Sequence, residues 1–195
     1  MQQTLVWKPW HTPGVETLRL SQDAHGIHAT SHLMQVIKGN SIVANYLIDC
    51  DARWRFRRLW LKVDNHGQRR ICLQRDLRGR WLLDGEHRPD LQECQHVMLS
   101  ASPFIHTPPL QRSALETGQS DEMRVAYVDL LSLKVEARKQ RYQCLQRRPG
   151  ESLYRSQAEG REHQELSVDD QALLLKASEH YLRLSQRELK VSALV

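Results

Sequence analysis

The sequence predicts an all-β fold, a meander of short antiparallel strands arranged as a sandwich, roll or barrel. Two observations carry that expectation. Turn signals recur along the chain, at Pro13-Gly14, His25-Gly26, Gly39-Asn40, His66-Gly67, Arg78-Gly79, Asp84-Gly85, Gly118, Pro149-Gly150 and Glu159-Gly160. They leave stretches of about 8 to 12 residues, the spacing of strands joined by tight turns rather than of alternating strands and helices. Inside several stretches apolar and polar residues alternate, as half-buried strands require.

Taken in order, the elements differ in strength. Residues 15–20 make a weak strand, because Glu16 shares the parity of Leu18 and Leu20. Residues 41–51 make a strong one, with Ile42, Ala44, Tyr46, Ile48 and Cys50 on one face. Over residues 54–63 the pattern changes sides: Trp54 and Phe56 are even-numbered, whereas Leu59, Leu61 and Val63 are odd. A bulge near Arg57-Arg58 would return both sets to one face. Asn65-His66-Gly67 then turns the chain into residues 70–77, where Ile71 and Leu73 oppose Arg70 and Gln74. Two further strands are expected at residues 123–129 and 132–143, the second because Leu131, Leu133, Val135 and Ala137 alternate with polar neighbours. From Ser167 onward two readings stand. Ser167-Val168-Asp169-Asp170 resembles a helix-capping box and the residues after it tolerate a helix, so the last twenty residues are open between a short C-terminal helix and strands.

A chain of 195 residues reads as a single domain spanning 1–195. Leu, Val, Ile and Phe make up about a quarter of it, above the level below which a core cannot form. No apolar run approaches the ~18 residues a membrane-spanning helix needs. The start lacks the basic and apolar regions of a signal peptide, which points to the cytoplasm. Cys50, Cys72, Cys94 and Cys144 form no C-x-x-C pair, so buried reduced thiols are expected rather than a zinc or redox site. Ten basic residues against two acids lie between Arg53 and Arg80, although the whole chain carries only +5. Such a segment suits phosphate, carboxylate or an anionic membrane surface as a peripheral contact.

Motif-bearing enzyme classes have little support. There is no nucleophile elbow, phosphate loop or dinucleotide fingerprint, and no cofactor is expected. His28 and His32 would stand roughly 13 Å apart on a strand, too far to share a metal ion, so no metal is expected. Asp49 and Asp51 would lie about 6.6 Å apart on one side, a separation that paired catalytic carboxylates can use. Pairing with Arg53 and Arg55 on a wet face explains them more simply. The arginines interleave with Trp54, Phe56, Trp60 and Trp81, which would suit single-stranded nucleic acid. Opposite parity of Arg53, Arg55 and Arg57 against Trp54 and Phe56 argues against such a platform.

Six segments in order carry a resemblance. They are Tyr46-Leu47-Ile48-Asp49-Cys50-Asp51 followed by Trp54 and Arg57; Arg80-Trp81-Leu82-Leu83-Asp84-Gly85; residues 91–94; Ser102-Pro103-Phe104 with Thr107 and Pro109; Val125-Ala126-Tyr127-Val128-Asp129; and Gln140-Arg141-Tyr142. Together they resemble the bacterial glycolipid-binding family, and they cover most of the chain. The chain departs from the family pattern at Ile105-His106-Thr107 and near Met98. The resemblance implies a spiral β-roll or many-stranded barrel similar to lipoprotein localisation factors. It implies a lipid-like or glycolipid-like ligand and no covalent chemistry.

A curved sheet with one apolar face can enclose a hollow, and an acyl chain entering it contributes about 0.8 kcal/mol per methylene. Aromatic faces and bidentate polar groups at the mouth would select the headgroup. The candidate ligand-binding residues are Trp54, Trp60, Trp81, Tyr127, Asp129, Arg141 and Tyr142. Two alternatives accompany this reading. One is a hydrolase or isomerase on a sugar or lipid conjugate through Asp49, Asp51 or Asp129; the other is a basic nucleic-acid module on residues 53–80.

Overall fold

Alternation becomes strand along nearly the whole chain in the computed structural model, which describes residues 2–185. Eight strands come first: β1 (Gln2–Pro9), β2 (Gly14–Asp23), β3 (Gly26–Ile37), β4 (Asn40–Cys50), β5 (Phe56–Asp64), β6 (Gln68–Arg75), β7 (Trp81–Leu83) and β8 (Glu86–His87). A 3-10 turn at Pro89–Leu91 leads to β9 (Cys94–Leu99). A second turn, Pro103–His106, runs into the short helix α1 (Thr107–Ser113). Six more strands follow among the described residues: β10 (Ser120–Val128), β11 (Val135–Arg148), β12 (Glu151–Ala158), β13 (His163–Val168), β14 (Leu174–Ala177) and β15 (Tyr181–Arg183).

The fifteen strands of the described residues form one sheet in the order β8-β7-β6-β5-β4-β3-β2-β1-β15-β14-β13-β12-β11-β10-β9. Every neighbouring pair is antiparallel except β9 with β10. The first and last described strands meet inside the sheet, where Trp7, Lys8 and Pro9 of β1 face Arg183, Leu182 and Tyr181 of β15. The sheet curls into an unclosed, barrel-like roll whose ends are drawn together by side chains. Trp81 donates its indole N–H to the Cys94 carbonyl at 3.2 Å, Arg69 donates to the carbonyls of Leu131 and Ser132, and Arg88 donates to that of Val135.

The inner face follows the predicted parity in the first half. Ile42, Ala44, Tyr46, Ile48 and Cys50 are all buried, as are Phe56, Leu59, Leu61 and Val63. The expected bulge is present: Cys50 pairs with Phe56 but Asp49 pairs with Arg58, which leaves Arg57 as the extra residue. Trp81 stacks on Phe56 with ring centroids 5.0 Å apart, and both are sealed in the core.

Two expectations are corrected. The strand expected over 132–143 begins at Val135, because Asp129 draws residues 129–134 into a turn. Its carboxylate accepts from the backbone of Leu131 and Ser132 and from the Ser132 hydroxyl, and Leu133 sits at φ +59°. The helical reading of residues 167–185 gives way to strands. Asp169 uses its carboxylate on the N–H groups of Gln171 and Leu173, so the apparent capping box closes a turn that sends the chain back as β14. The part of that reading beyond residue 185 lies outside the described residues.

The short helix lies elsewhere, and it changes the interior. Pro108 and Pro109 occupy its first turn, where a missing N–H costs nothing. Residues 101–110 are all buried, so this segment is inserted into the roll as a plug. Phe104, Ile105 and Leu110 supply its apolar side. The hollow expected from alternation alone is therefore partly filled. What stays open lies between the plug and strands β10–β15.

Candidate ligand pocket

Inner-face residues of β10–β13 change character along the strands. At one end Tyr142, Cys144, Tyr154 and Leu166 are buried core. Towards the other end Tyr127, Arg138, Gln140, Ser156 and Gln164 surround a cavity of about 570 Å³. The plug contributes Ser102, Ile105 and His106 to its wall, and β14 and β15 contribute Ala177 and Tyr181. Apolar surface comes from Met98, Leu99, Ile105, Val125, Ala158 and Ala177.

The polar part of the wall is buried and uncharged. His106 is 7% exposed, and Gln140 and Ser156 are each 2% exposed. The His106 Nδ1 lies 2.9 Å from the Tyr142 hydroxyl, with the two rings edge to face. Its Nε2 meets the Gln164 amide nitrogen at 3.4 Å. Burial, with the nearby His180 adding to it, pushes the His106 pKa down to about 4, so the ring is neutral at physiological pH. Gln140 donates its amide to the Ser156 hydroxyl at 2.8 Å and to the Arg141 carbonyl at 3.3 Å.

Charge is confined to the rim. Arg138, Lys139 and Arg161 stand there with Glu162, Glu165 and Glu179. Arg138 lies over the Tyr127 ring, 3.7 Å from its centroid, and donates to Glu136. Arg161 approaches the same ring at 5.8 Å and the Tyr127 hydroxyl at 3.4 Å.

A second polar cluster lies behind this wall. Glu16 is buried on β2, and one of its carboxyl oxygens accepts from Ser31, Tyr46 and Ser102 at 2.8, 2.6 and 2.9 Å. The other oxygen, Oε2, is buried with no hydrogen-bond partner among the described residues. Burial outweighs these three bonds and raises the Glu16 pKa to about 7. Because Ser102 belongs to the plug and also lines the cavity, the cluster pins the plug to β2, β3 and β4.

The seven sequence candidates fall in different places. Tyr127 lines the cavity and Tyr142 lies beneath it, bonded to His106. Arg141 projects to the opposite side of β11 and is exposed, reaching Ser120. Asp129 is engaged by its own turn; burial pushes its carboxyl up, but the bonds from Ser132 and Leu131 prevail and hold it below the ordinary range. Trp81 is in the core. Trp54 sits in a turn at φ +59° beside a smaller cavity of about 160 Å³ with Leu20, Ile27 and Gln111. Trp60 is on the outer face, 40% exposed. By strand alternation Trp60 shares that outer face with Arg58 and Lys62, an aromatic among cations that the parity of residues 53–57 did not reveal.

Other polar candidates are taken up locally. Asp49 accepts from both His28 and Arg58. Asp51 is bonded by Arg55 and Arg57; burial pushes its carboxyl up, but bonds from the backbone and guanidinium of Arg55, the Arg53 N–H and Arg57 bring it down to about 2. His32 meets Asn45, and among the described residues no group of His, Cys, Asp and Glu is placed to hold a metal. His106, Gln140, Ser156 and Gln164 were not among the candidates. A signal existed for Gln140: it shares the parity of Tyr142, whereas Arg141 does not.

Among the described residues no helix is long and apolar enough to cross a membrane. Comparison with curated proteins finds no match. Among solved structures the chain is similar to the crystal structure of a DUF1089 family protein from Pseudomonas aeruginosa. The two share 30% sequence identity over 87% of this chain and 91% of that one, with a TM-score of 0.76. The profile described as putative glycolipid-binding matches residues 4–183, which span the sheet from β1 to the end of β15 and include the plug. A match of that extent, on a roll with this partly filled interior, shows that the chain belongs to the putative glycolipid-binding family.

Proposed function

We propose that this protein holds a glycolipid-like amphiphile in the cavity between the plug and strands β10–β15, without covalent chemistry. The observation that carries the reading is the cavity's composition. About 570 Å³ of space has an apolar wall beside a buried, uncharged polar wall, within the range of small-molecule sites. Such a division suits a molecule with a greasy part and a polar part. Tail burial would supply affinity at about 0.8 kcal/mol per methylene, and the polar wall would supply orientation. The family's description agrees in ligand class. Tyr127 and Tyr142 are the sequence candidates retained at this site, joined by His106, Gln140, Ser156 and Gln164. The cytoplasm is the proposed setting, where four unpaired thiols remain reduced.

Two measurements test this. Native mass spectrometry of gently purified protein is expected to show a bound amphiphile. Titration with alkyl glucosides of increasing length should tighten binding about fourfold per methylene until the cavity is full, the ratio that 0.8 kcal/mol implies. Absence of any bound amphiphile, together with affinity independent of tail length, overturns the reading.

A further inference from the structure

We propose that one end of the roll is a docking surface for anionic phospholipid membranes, formed by Arg53, Arg75, Arg78 and Arg112 around the projecting Leu77. This surface is separate from the cavity and does not depend on what the cavity holds.

Two hairpin turns build it in the same way. Asp51-Ala52-Arg53-Trp54-Arg55 and Asp76-Leu77-Arg78-Gly79-Arg80 share the pattern Asp-x-Arg-x-Arg. In each, one carboxylate oxygen of the Asp accepts from the backbone N–H groups of both arginines. The other oxygen accepts from Nε of the second arginine, at 2.7 Å in the first turn and 2.8 Å in the second. The fourth residue takes a left-handed φ, +59° at Trp54 and +81° at Gly79. A third turn, from Asp169 to Leu173, uses the same backbone bonds to its Asp, with Ala172 at φ +54°, yet has Gln171 and Leu173 where the others have arginines. The turn therefore needs its Asp and not its arginines. Asp51 is taken by Arg55 and Arg57, and Asp76 by Arg80. Among the described residues, Arg53, Arg75, Arg78 and Arg112 are left with no carboxylate partner, and all but Arg75 are exposed.

Topology gathers these groups. The start of β5 pairs with the end of β6 through Arg58 and Gln74, so both turns leave the sheet at one end. Gln111 lines the small cavity beside Trp54, which brings Arg112, in the last turn of α1, to the same end. Residues 51–57 and 75–80 with Arg112 thus carry seven arginines against two aspartates. Burial, and then the charges of Arg112 and Arg57, hold the Arg75 pKa below its ordinary value. Crowded like charge is unfavourable in the protein alone, and an anionic surface offsets it, with guanidinium groups pairing to phosphate oxygens.

Leu77 decides between anionic partners. It is 92% exposed at the tip of its turn, beside Arg78. A single exposed apolar side chain is ordinary. Held on a fixed turn among unpaired guanidinium groups, it matches a lipid surface, which offers phosphate and apolar depth together. A nucleic-acid strand would want exposed aromatic faces to stack on; here Trp54 packs against the core and Trp81 is buried. Because β13 runs from the cavity rim towards the third turn, docking takes place at the end away from that rim.

The test titrates the full chain with vesicles of phosphatidylcholine alone and of phosphatidylcholine with phosphatidylserine at about 2:1. The anionic vesicles are expected to bind at least tenfold tighter, and less so as salt is raised. Arg53→Gln combined with Arg78→Gln is expected to weaken that binding about 25-fold, the ratio that roughly 1 kcal/mol per arginine implies. Arg19→Gln combined with Arg70→Gln, an equal loss of charge from exposed positions on β2 and β6, should change it less than about threefold. Leu77→Ser is expected to weaken binding severalfold by a factor that salt leaves unchanged, since apolar contact is not screened. Equal binding to the two vesicle types overturns the inference. Equal losses in the two arginine pairs overturn the placement, marking net charge instead. Unchanged binding by Leu77→Ser overturns the insertion of that side chain, and a single-stranded oligonucleotide bound more tightly than anionic vesicles overturns the membrane in favour of nucleic acid.

Discussion

Glu16 shows how one residue can look like an error in a pattern and be a feature of the fold. Its parity with Leu18 and Leu20 makes residues 15–20 a poor strand on paper, yet all three side chains point inward. Hydroxyls from Ser31, Tyr46 and Ser102 receive the carboxyl. Because its folded pKa of about 7 lies above the unfolded value, the folded state binds the extra proton. The stabilisation is complete below pH ~4.5 and is lost as pH rises through 7, amounting to roughly 3 kcal/mol at 1.36 kcal/mol per pKa unit. Glu16→Gln should remove that slope from urea-denaturation stabilities measured between pH 4.5 and 8; an unchanged slope refutes the role. His96 and His106 act in the opposite sense, since burial depresses them to about 3 and about 4. Their contribution is complete above pH ~6.5 and declines as the solution is acidified towards those values. His106→Asn is therefore expected to flatten the acid limb of the same profile.

At the level of strands and turns, local chemistry was readable wherever a side chain governs its own neighbourhood. The change of parity after Phe56 announced the bulge at Arg57, and the turn signals bounded most of the strands. Local reading failed where one pattern suits two outcomes. The segment from Ser167 can cap a helix or close a turn, and only the pairing of β13 with β14 selects the turn. Gly26 is a junction where backbone proximity admits no side chain. At φ +140°, an added Cβ would stand 2.2 Å from the Cys50 carbonyl oxygen, backbone that cannot yield cheaply. Gly26→Ala should cost on the order of 1–3 kcal/mol or more, whereas Gly160→Ala, with nothing within 4 Å, should cost only about 1 kcal/mol for its left-handed φ. Equal midpoints for the two variants in chemical denaturation would contradict this account.

Over the whole molecule, the plug and the β1–β15 seam hold together what would otherwise be two separate meanders. Phe104, 1% exposed, anchors the plug in the interior. Its removal in Phe104→Ala should cost about 3–5 kcal/mol, lowering Tm by about 10 °C for a chain of this length, and should increase binding of a hydrophobic dye. A Tm within two degrees of wild type would show that the plug is dispensable. We further propose that the described residues unfold as one unit, since breaking the seam exposes edges of both meanders. Calorimetry should then record one transition, and two resolved transitions would mark two domains. Strand content, the bulge and the apolar face follow from short-range alternation, because a period of two is set by each residue's own backbone geometry. The meeting of residues 7–9 with residues 181–183, the entry of residues 101–110 into the roll and the polar wall of His106, Gln140 and Ser156 are different in kind. They depend on contacts between distant segments, whose free energy comes from packing and loop closure and leaves no periodic trace in the chain.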